Sequence, residues 1–339
     1  MNIHDYLTDD GLAVLLLCSR WGCEDGPEAP APFTLSEWNQ LARKLPASPF
    51  KCPAGLAGQE AAALASGLEL RKAEGERVAR LLGRSGQFSM GLDNLFARGV
   101  WAVTRVDPLY PGNLRDRLKH QAPTVLFGAG DIHLLKKPGI AVIGSRTLDQ
   151  AGIDFAREVG RQTAAAGLPV VSGGARGSDR LAMDGALEAG GKAIGVMADS
   201  LESTIRRTDV RQLLLDGSLV LLTPFAPDAG FSIGAAMGRN KVIYGLAHHA
   251  VVVSSDLGKG GTWTGATEAL KAGWCPVFVR SGPDAPKGNH ELLRRGGLPI
   301  DARQLRENAD LPAWFQSKVT AKAEAQELFA FALRDRPNG

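Results

Sequence analysis

The 339-residue sequence has few cysteines, and no two of them stand in CxxC spacing. They are Cys18, Cys23, Cys52 and Cys275. Scattered cysteines of this number provide neither a disulfide framework nor the paired thiolates of a zinc site. We therefore expect reduced thiols and no bound metal.

The sequence also lacks a long apolar run. A membrane-spanning helix needs roughly 18 or more apolar residues in succession. The early stretch "LAVLLLC" is shorter, and it follows Asp9 and Asp10 rather than a basic segment. We interpret this stretch as a helix and predict a cytoplasmic protein that does not attach to a membrane.

Neither sign of charge is in large excess, because the formal net charge is only +3. A balance this small does not by itself indicate a polyanionic partner, so a nucleic-acid or nucleotide site must be argued from local clusters. Internal repeats and low-complexity tracts are missing too. With 44% hydrophobic and 22% charged residues, the composition is typical of a globular protein of one to three domains.

Three regions of the chain differ in pattern. Residues 1–104 show helix-like spacing of apolar residues, as in "FTLSEWNQLARKL", where Thr34 or Ser36 can cap the start. In residues 105–300 short β-rich runs alternate with helical segments, and residues 301–339 contain one or two helices. We predict a small N-terminal all-helical domain, an α/β domain and a helical tail.

The middle region predicts a Rossmann-like α/β fold. Strands are expected at "TVLFGAG", "GIAVIGSR", "LPVVSGGA", "KAIGVMA", "SLVLLTPF", "AVVVSSD" and "CPVFVRSG". Their alternation with helices is typical of a doubly wound sheet, and their near-continuous apolar runs indicate a mainly parallel sheet covered on both faces. Ligands of such sheets bind outside the carboxyl ends of the strands.

Two of these strands end on turns that suit a phosphate. The sequence Gly144-Ser145-Arg146 follows "GIAVI", and its glycine permits close backbone approach while its arginine offers a planar fork of donors. The turn "SGGARGSD" follows "LPVV", with Arg176 inside it and Asp179 placed to cap the next helix.

Two further segments carry candidate ligand-binding residues. The segment "GRNKVIYGLA" places Arg239, Asn240 and Lys241 at the start of a helix that runs into a strand. The segment "GKGGTWTGATEALKAG" reads as a glycine-rich loop before a helix. Backbone amides in such a loop can meet phosphates, and Trp263 can stack on a base.

Taken singly, these features have ordinary structural explanations, namely a surface arginine, a tight turn and a packing tryptophan. All of them map to one edge of one predicted sheet, and this shared location predicts a binding site. Its residues are Gly144, Ser145, Arg146, Ser172, Gly173, Gly174, Arg176, Gly177, Asp179, Arg239, Asn240, Lys241, Gly260, Gly261, Thr262, Trp263 and Thr264.

The motifs resemble, in order, those of the DNA-processing protein A family, also called DprA or Smf. They are "YPGNLRDRLKHQAPTVLFGAGD", "GIAVIGSR", "VVSGGARGSDRLAMDGAL", "GRNKVIYGLA", "GGTWTGATEALKAG" and "KGNHELLRRGG". The resemblance implies an extended Rossmann-like domain after a sterile-alpha-motif-like module. It also implies single-stranded DNA as the ligand, a homodimer, and help in loading a RecA-type recombinase during natural transformation.

The same resemblance implies roles for individual residues. Ser145 and Arg146 would hold a phosphate, Gly173–Gly177 would form the floor of the pocket, and Arg239 and Lys241 would stand in the basic places of an Arg-Asn-Arg segment.

The chain departs from this family at several positions. Gly174 and Ser178 replace apolar residues, Met183 replaces a histidine, and Ser254 stands where the family has an acid. The winged-helix tail of the family is reduced or absent. These departures indicate a divergent member.

A second resemblance leaves an alternative open. The glycine-rich turn is also similar to that of the lysine-decarboxylase-like phosphoribohydrolases, whose catalytic loop reads Pro-Gly-Gly-x-Gly-Thr-x-x-Glu. On "KGGTWTGATEAL" that glutamate falls on Thr267, and Glu268 is one residue out of register, about 100° away around a helix. A nucleotide-binding sensor or a hydrolase using the same pocket is therefore the alternative.

The sequence contains no recognisable Ser-His-Asp constellation, Walker loop or metal-ligand cluster. We therefore predict binding without catalysis, with no catalytic residue and no cofactor. Backbone amides and the basic residues Arg146, Arg176, Arg239 and Lys241 would meet successive phosphates. Arg146 and Arg239 are both expected near the surface.

Overall fold

The structure is a computed structural model that describes the backbone of residues 2–22, 29–308 and 310–334. The chain forms two units, residues 1–137 with 194–246 and residues 138–193 with 247–339. The domain boundaries expected at residues 104 and 300 stay predictions.

The described residues form helices up to residue 97 and a mixture of strands and helices from residue 100 onward. The strands are β1 (Val100–Thr104), β2 (Val125–Ala129), β3 (Ile140–Ile143), β4 (Pro169–Ser172), β5 (Lys192–Val196), β6 (Leu219–Thr223), β7 (His249–Val252), β8 (Val277–Arg280) and β9 (Leu298–Ile300). The helices are α1 (Asp9–Cys18), α2 (Leu35–Lys44), α3 (Ala61–Gly67), α4 (Lys72–Gly83), α5 (Ser85–Ala97), α6 (Gly112–Leu118), α7 (Gln150–Ala165), α8 (Ser178–Glu188), α9 (Leu201–Ile205), α10 (Thr208–Leu215), α11 (Ile233–Leu246), α12 (Gly260–Ala272), α13 (Lys287–Arg294), α14 (Ala302–Glu307) and α15 (Leu311–Arg334).

The N-terminal segment is helical, as its pattern predicts. The stretch "LAVLLLC" lies in α1, where Val14, Leu15 and Leu17 are fully buried. Helix α2 begins after Thr34, whose hydroxyl accepts a hydrogen bond from the N–H of Glu37 while the Glu37 carboxylate accepts one from Thr34. This reciprocal capping satisfies two N–H groups that the helix start would otherwise leave without partners.

Asp107 joins the start of α1 to the end of β1. Its buried carboxylate accepts hydrogen bonds from the N–H and Oγ1 of Thr8, at 2.8 and 2.7 Å, and from the N–H and Oγ1 of Thr104, at 2.8 and 2.6 Å. Thr8 is also the N-cap of α1, because its Oγ1 accepts from the N–H of Gly11. One side chain thus positions the first helix against the first strand.

In the first unit the strands pair antiparallel, in the order β1-β2-β6. Strand β1 is buried at all of its five positions. It lies just inside the region predicted to be helical, so the all-helical pattern ends a few residues earlier than expected. Strand β5 begins in the second unit and continues in the first.

The second unit is built on parallel strands in the order β4-β3-β7-β8-β9. From β3 the chain winds through α7 to β4 in one direction, and from β7 through α12, β8 and α13 to β9 in the other. Right-handed crossovers in opposite directions place their helices on opposite faces. The doubly wound, mainly parallel α/β fold is therefore confirmed.

Strand β9 was not expected from the sequence. Pro299 lies inside it and has no N–H to donate, which argues against a strand in the middle of a sheet. In the structure β9 pairs with β8 alone and lies at the edge of the second unit, where the missing donor is tolerated. The predicted tail forms α14 and α15, and Phe315 of α15 packs on Phe278 of β8 with ring centroids 4.2 Å apart. None of the helices in the described part of the chain is both long and apolar enough to span a bilayer.

Candidate functional site

The candidate site lies where the sheet of the second unit changes winding direction, between β3 and β7. The carboxyl ends of these two strands are in register, with Ile143 opposite Val252. Beyond them, the N–H of Ser145 donates to the carbonyl of Ser254 at 2.9 Å. The crevice at such a switch point is the usual ligand position in open α/β sheets.

Two glycines allow the turns after β3 and β4 to touch backbone to backbone. A Cβ on Gly144 would lie 2.2 Å from Ser178 Oγ, and a Cβ on Gly177 would lie 2.4 Å from the carbonyl oxygen of Ser145. Gly177 also has a φ of +93°. The N–H and hydroxyl of Ser178 both donate to that carbonyl, at 3.2 and 3.1 Å. The structure therefore brings together the Ser145 turn and the glycine turn, which were predicted to share a site.

The turn between β4 and α8 is held by buried side chains at its two ends. Ser172 Oγ donates to the carbonyl of Val142 at 2.6 Å, and Asp179 Oδ2 accepts from the N–H of Gly173 at 3.2 Å. Gly177 is the N-cap of α8, and Asp179 lies within the first turn of the helix. The prediction that Asp179 caps α8 is wrong, because its carboxylate closes the preceding turn instead.

Arg146 and Arg176 extend from these two turns and are exposed. In the part of the chain that the structure describes, neither guanidinium forms an ion pair. Nearby, Ser145 Oγ accepts from the N–H of Thr147 at 3.2 Å, which shapes the start of the loop toward α7. Both arginines are thus available to an anion that reaches the joined turns.

Gly260, Gly261, Thr262, Trp263 and Thr264 form the first turn of α12. The sequence predicted a loop here, but α12 is already under way at these residues, and Gly260 at its start has a φ of +84°. This turn contains no acidic residue, and the first N–H groups of a helix have no partner within it.

Trp263 is half-buried, and its ring is already in contact with a cation. The guanidinium carbon of Arg295 lies 5.0 Å from the ring centroid, which is within the range of a cation–π interaction. One face of the Trp263 ring is therefore already occupied by Arg295.

Arg239, Asn240 and Lys241 belong to the first unit, in the middle of α11. The prediction that they open a helix is wrong, since α11 begins at Ile233. Arg239 is only 6% exposed, so its expected surface position is also wrong.

Lys241 is half-buried and lines a cavity of about 250 Å³ together with Cys18, Phe33 and Phe225. Burial raises the pKa of the Cys18 thiol well above its ordinary value. The charged thiolate is therefore disfavoured at this position.

Sequence reasoning missed two residues that contact the chain at the ends of β7 and β8, namely Asn289 of α13 and Arg280 of β8. Asn289 is fully buried, and its Oδ1 accepts from the N–H of Ser255 at 2.9 Å while its Nδ2 donates to the carbonyls of Val253 and Arg280. Arg280 is the last residue of β8, and its Nε donates to the Val253 carbonyl at 3.0 Å. The signal for Arg280 was present, because "CPVFVR" is an apolar strand that ends on an arginine.

Thr267 stands where the similar phosphoribohydrolases carry a glutamate, and its side chain bonds within its own helix. Thr267 Oγ1 donates to the carbonyls of Trp263 and Thr264 of its own helix, and Glu268 is exposed. Among the described residues, no group of three or more His, Cys, Asp or Glu side chains could hold a metal ion.

The parallel sheet, its switch point and the glycine turns define a Rossmann-like α/β protein with an anion-sized turn. The family described as DNA recombination-mediator protein A matches residues 101–308, more than half of the chain. The chain therefore belongs to this family, which confirms the resemblance read from its motifs.

Individual relatives agree with this assignment. The chain is similar to DNA processing protein DprA of Streptococcus pneumoniae, with 29% identity over 203 residues that cover 59% of this chain and 70% of the relative. It is also similar to protein Smf of Escherichia coli, with 31% identity over 183 residues that cover 52% of this chain and 48% of the relative. The chain thus spans about half the length of the E. coli protein.

Two solved structures share the fold. The X-ray structure of DprA from S. pneumoniae matches with a TM-score of 0.57 and 23% identity, covering 81% of this chain and 98% of that one. DNA processing protein A from Helicobacter pylori, whose structure addresses its single-stranded DNA binding mode, matches with a TM-score of 0.51 and 24% identity, covering 62% and 94%.

Proposed function

We propose that this protein is a recombination mediator that binds single-stranded DNA and holds its phosphates at the switch point of the second unit. The observation that carries the proposal is the pair of exposed arginines, Arg146 and Arg176, on two turns joined by hydrogen bonds at Ser145 and Ser178. Family membership and the DNA-binding mode of the H. pylori relative support it.

The chemistry of this site suits a phosphate chain better than a base sequence. Guanidinium forks, backbone N–H groups and an aromatic ring contact phosphates and base faces, none of which distinguishes one base from another. We therefore propose binding without sequence preference and without turnover.

The biological role is proposed at the level of the family. We propose that the protein protects single-stranded DNA and helps to load a RecA-type recombinase, acting as a homodimer in the cytoplasm. The chain spans only part of its curated relatives, so recombinase loading and dimerisation need their own tests, by recombinase-filament assays and by sedimentation.

A salt series with a labelled single-stranded oligonucleotide tests the binding itself. We expect fluorescence anisotropy to report affinity that falls linearly on a log–log scale, with a slope of about −0.7 for each phosphate contacted. Duplex DNA and free AMP are the competitors. Affinity that does not change with salt would contradict phosphate binding, and displacement by AMP would favour a nucleotide sensor or hydrolase in the same pocket.

Arg146→Ala separates a binding role from a structural one. Because Arg146 is exposed, we expect weaker DNA binding, a shallower salt slope and a melting temperature close to that of the parent protein. Arg303→Ala is the matched control, since Arg303 is an arginine on α14 with 80% of its side chain exposed. Equal binding by both variants would remove Arg146 from the site.

A further inference from the structure

Arg280 is a buried cation at the same strand edge as the candidate site. Its side chain is 7% exposed, and it is the last residue of β8, the neighbour of β7. Its Nε donates to the carbonyl of Val253 at 3.0 Å, and the next residue, Ser254, accepts from the N–H of Ser145. Arg280 is therefore tied to the strand end that holds the Ser145 turn.

Most of the N–H groups of Arg280 have no protein acceptor in the described part of the chain. A guanidinium has five N–H donors, and one of them is engaged by Val253. In the described part of the chain, the two Nη groups donate no hydrogen bond. Their nearest charged group is Asp149, with Nη2 at 3.7 Å from Oδ1, a distance at which the two atoms attract but do not form a hydrogen bond.

Asp149 is a weak partner for a buried charge. Its carboxylate is 54% exposed, and the oxygen that faces Arg280 already accepts from the N–H of Gly152 at 2.7 Å as the N-cap of α7. A buried guanidinium is normally compensated by a carboxylate or phosphate that accepts from several of its N–H groups. Arg280 thus has N–H donors left for a second, better-placed oxyanion.

We propose that Arg280 is a phosphate ligand of the single-stranded DNA site and that the Asp149 carboxylate competes with the phosphate for it. This inference rests on the proposed function, because the same strand edge carries Ser145 and Arg146. Phosphate oxygens bind the free Nη groups through charge-assisted hydrogen bonds. When the phosphate binds, the Arg280 guanidinium pairs with it instead of with the Asp149 carboxylate. Asp149 remains the N-cap of α7.

Arg280→Gln is the first test, since glutamine keeps an amide N–H for the Val253 carbonyl and removes the charge. We expect affinity for an oligothymidylate to fall by about tenfold or more, as for the loss of a charged hydrogen bond. The log–log salt slope should become shallower by about 0.7, the value of one phosphate contact. Arg303→Gln, an exposed arginine on α14, should change neither.

The log–log salt slope distinguishes a role of Arg280 as a phosphate ligand from a role as a positioning residue. A residue that only holds the strand end in place would weaken binding without removing one contact from the salt dependence. If Arg280→Gln lowers the melting temperature, Arg280→Lys provides the second measurement. Lysine keeps the charge and loses the fork, so the slope should be retained while affinity falls.

Asp149→Asn tests the competing carboxylate. Asparagine caps helices as well as aspartate does, so the melting temperature should stay within about 1 °C of the parent value. Affinity for the oligonucleotide should rise about two- to threefold, as expected when one partly exposed charge is removed. In the double variant with Arg280→Gln this gain should disappear.

The outcomes separate this inference from the proposed function. Salt-dependent DNA binding that Arg280→Gln and Asp149→Asn leave unchanged would overturn the inference and leave the function standing. If Arg280→Gln weakens the binding of AMP and the parent protein does not bind the oligonucleotide, Arg280 is a phosphate ligand but the single-stranded DNA function is wrong.

Discussion

Gly177→Ala is expected to abolish binding of single-stranded DNA and to lower the free energy of unfolding by about 3 kcal/mol. Gly177 has a φ of +93°, and its new Cβ would lie 2.4 Å from the Ser145 carbonyl oxygen and 2.6 Å from the Arg146 Cα. These are backbone atoms, so the clash can be relieved only by moving the turn that presents Arg146. The two effects should therefore appear together, in calorimetry and in fluorescence anisotropy.

Gly174→Ala is the control for this prediction, because it lies in the same turn. Gly174 also has a positive φ, +62°, but a Cβ there would meet nothing within 4 Å. We expect a loss of only about 1 kcal/mol from the backbone conformation, with DNA binding retained. If both variants lose binding equally, the close approach of the two turns is not what the site requires.

Asp107→Ala is expected to have the largest effect on stability, about 3 to 5 kcal/mol. The change removes the acceptor of four hydrogen bonds from Thr8 and Thr104. It leaves two N–H groups and two hydroxyls without that partner at a residue that is only 1% exposed. Chemical denaturation followed by circular dichroism measures the loss.

Two companions make this result specific. Asp107→Asn keeps one oxygen but turns an NH₂ group toward donors, so an intermediate loss is expected. Asp116→Ala removes a carboxylate that is 76% exposed, and surface changes of this kind stay within about 0.5 kcal/mol. A loss for Asp107→Ala no larger than that of Asp116→Ala would show that the Asp107 hydrogen bonds do not hold α1 to β1.

The parts of the fold that could be predicted are those set by local pattern. The seven expected strands all form, because a short apolar run between glycine-rich turns leaves few alternatives to a buried strand. The Ser145 turn and the glycine turn were predicted to lie together, since the carboxyl ends of neighbouring parallel strands share one edge.

The parts that could not be predicted depend on contacts distant in sequence. Nothing around Arg239 indicates that its side chain is buried, because burial is decided by what packs on α11. Likewise the glycines before Trp263 suggest a loop, because glycine has a weak helix propensity, whereas α12 begins at Gly260. Asp179 resembles a helix cap in the sequence, but its carboxylate instead accepts a hydrogen bond from the N–H of Gly173, six residues earlier.

By itself the sequence determined the family, the strands β2 to β8, and the turns on which Arg146 and Arg176 lie, because these depend on local spacing and on glycine. The tertiary structure alone decided which basic residue is exposed and which is buried, and it placed Arg280 beside Asp149 although 131 positions separate their numbers. Such a pairing follows from the winding of the sheet, which brings together strand ends that no local pattern relates.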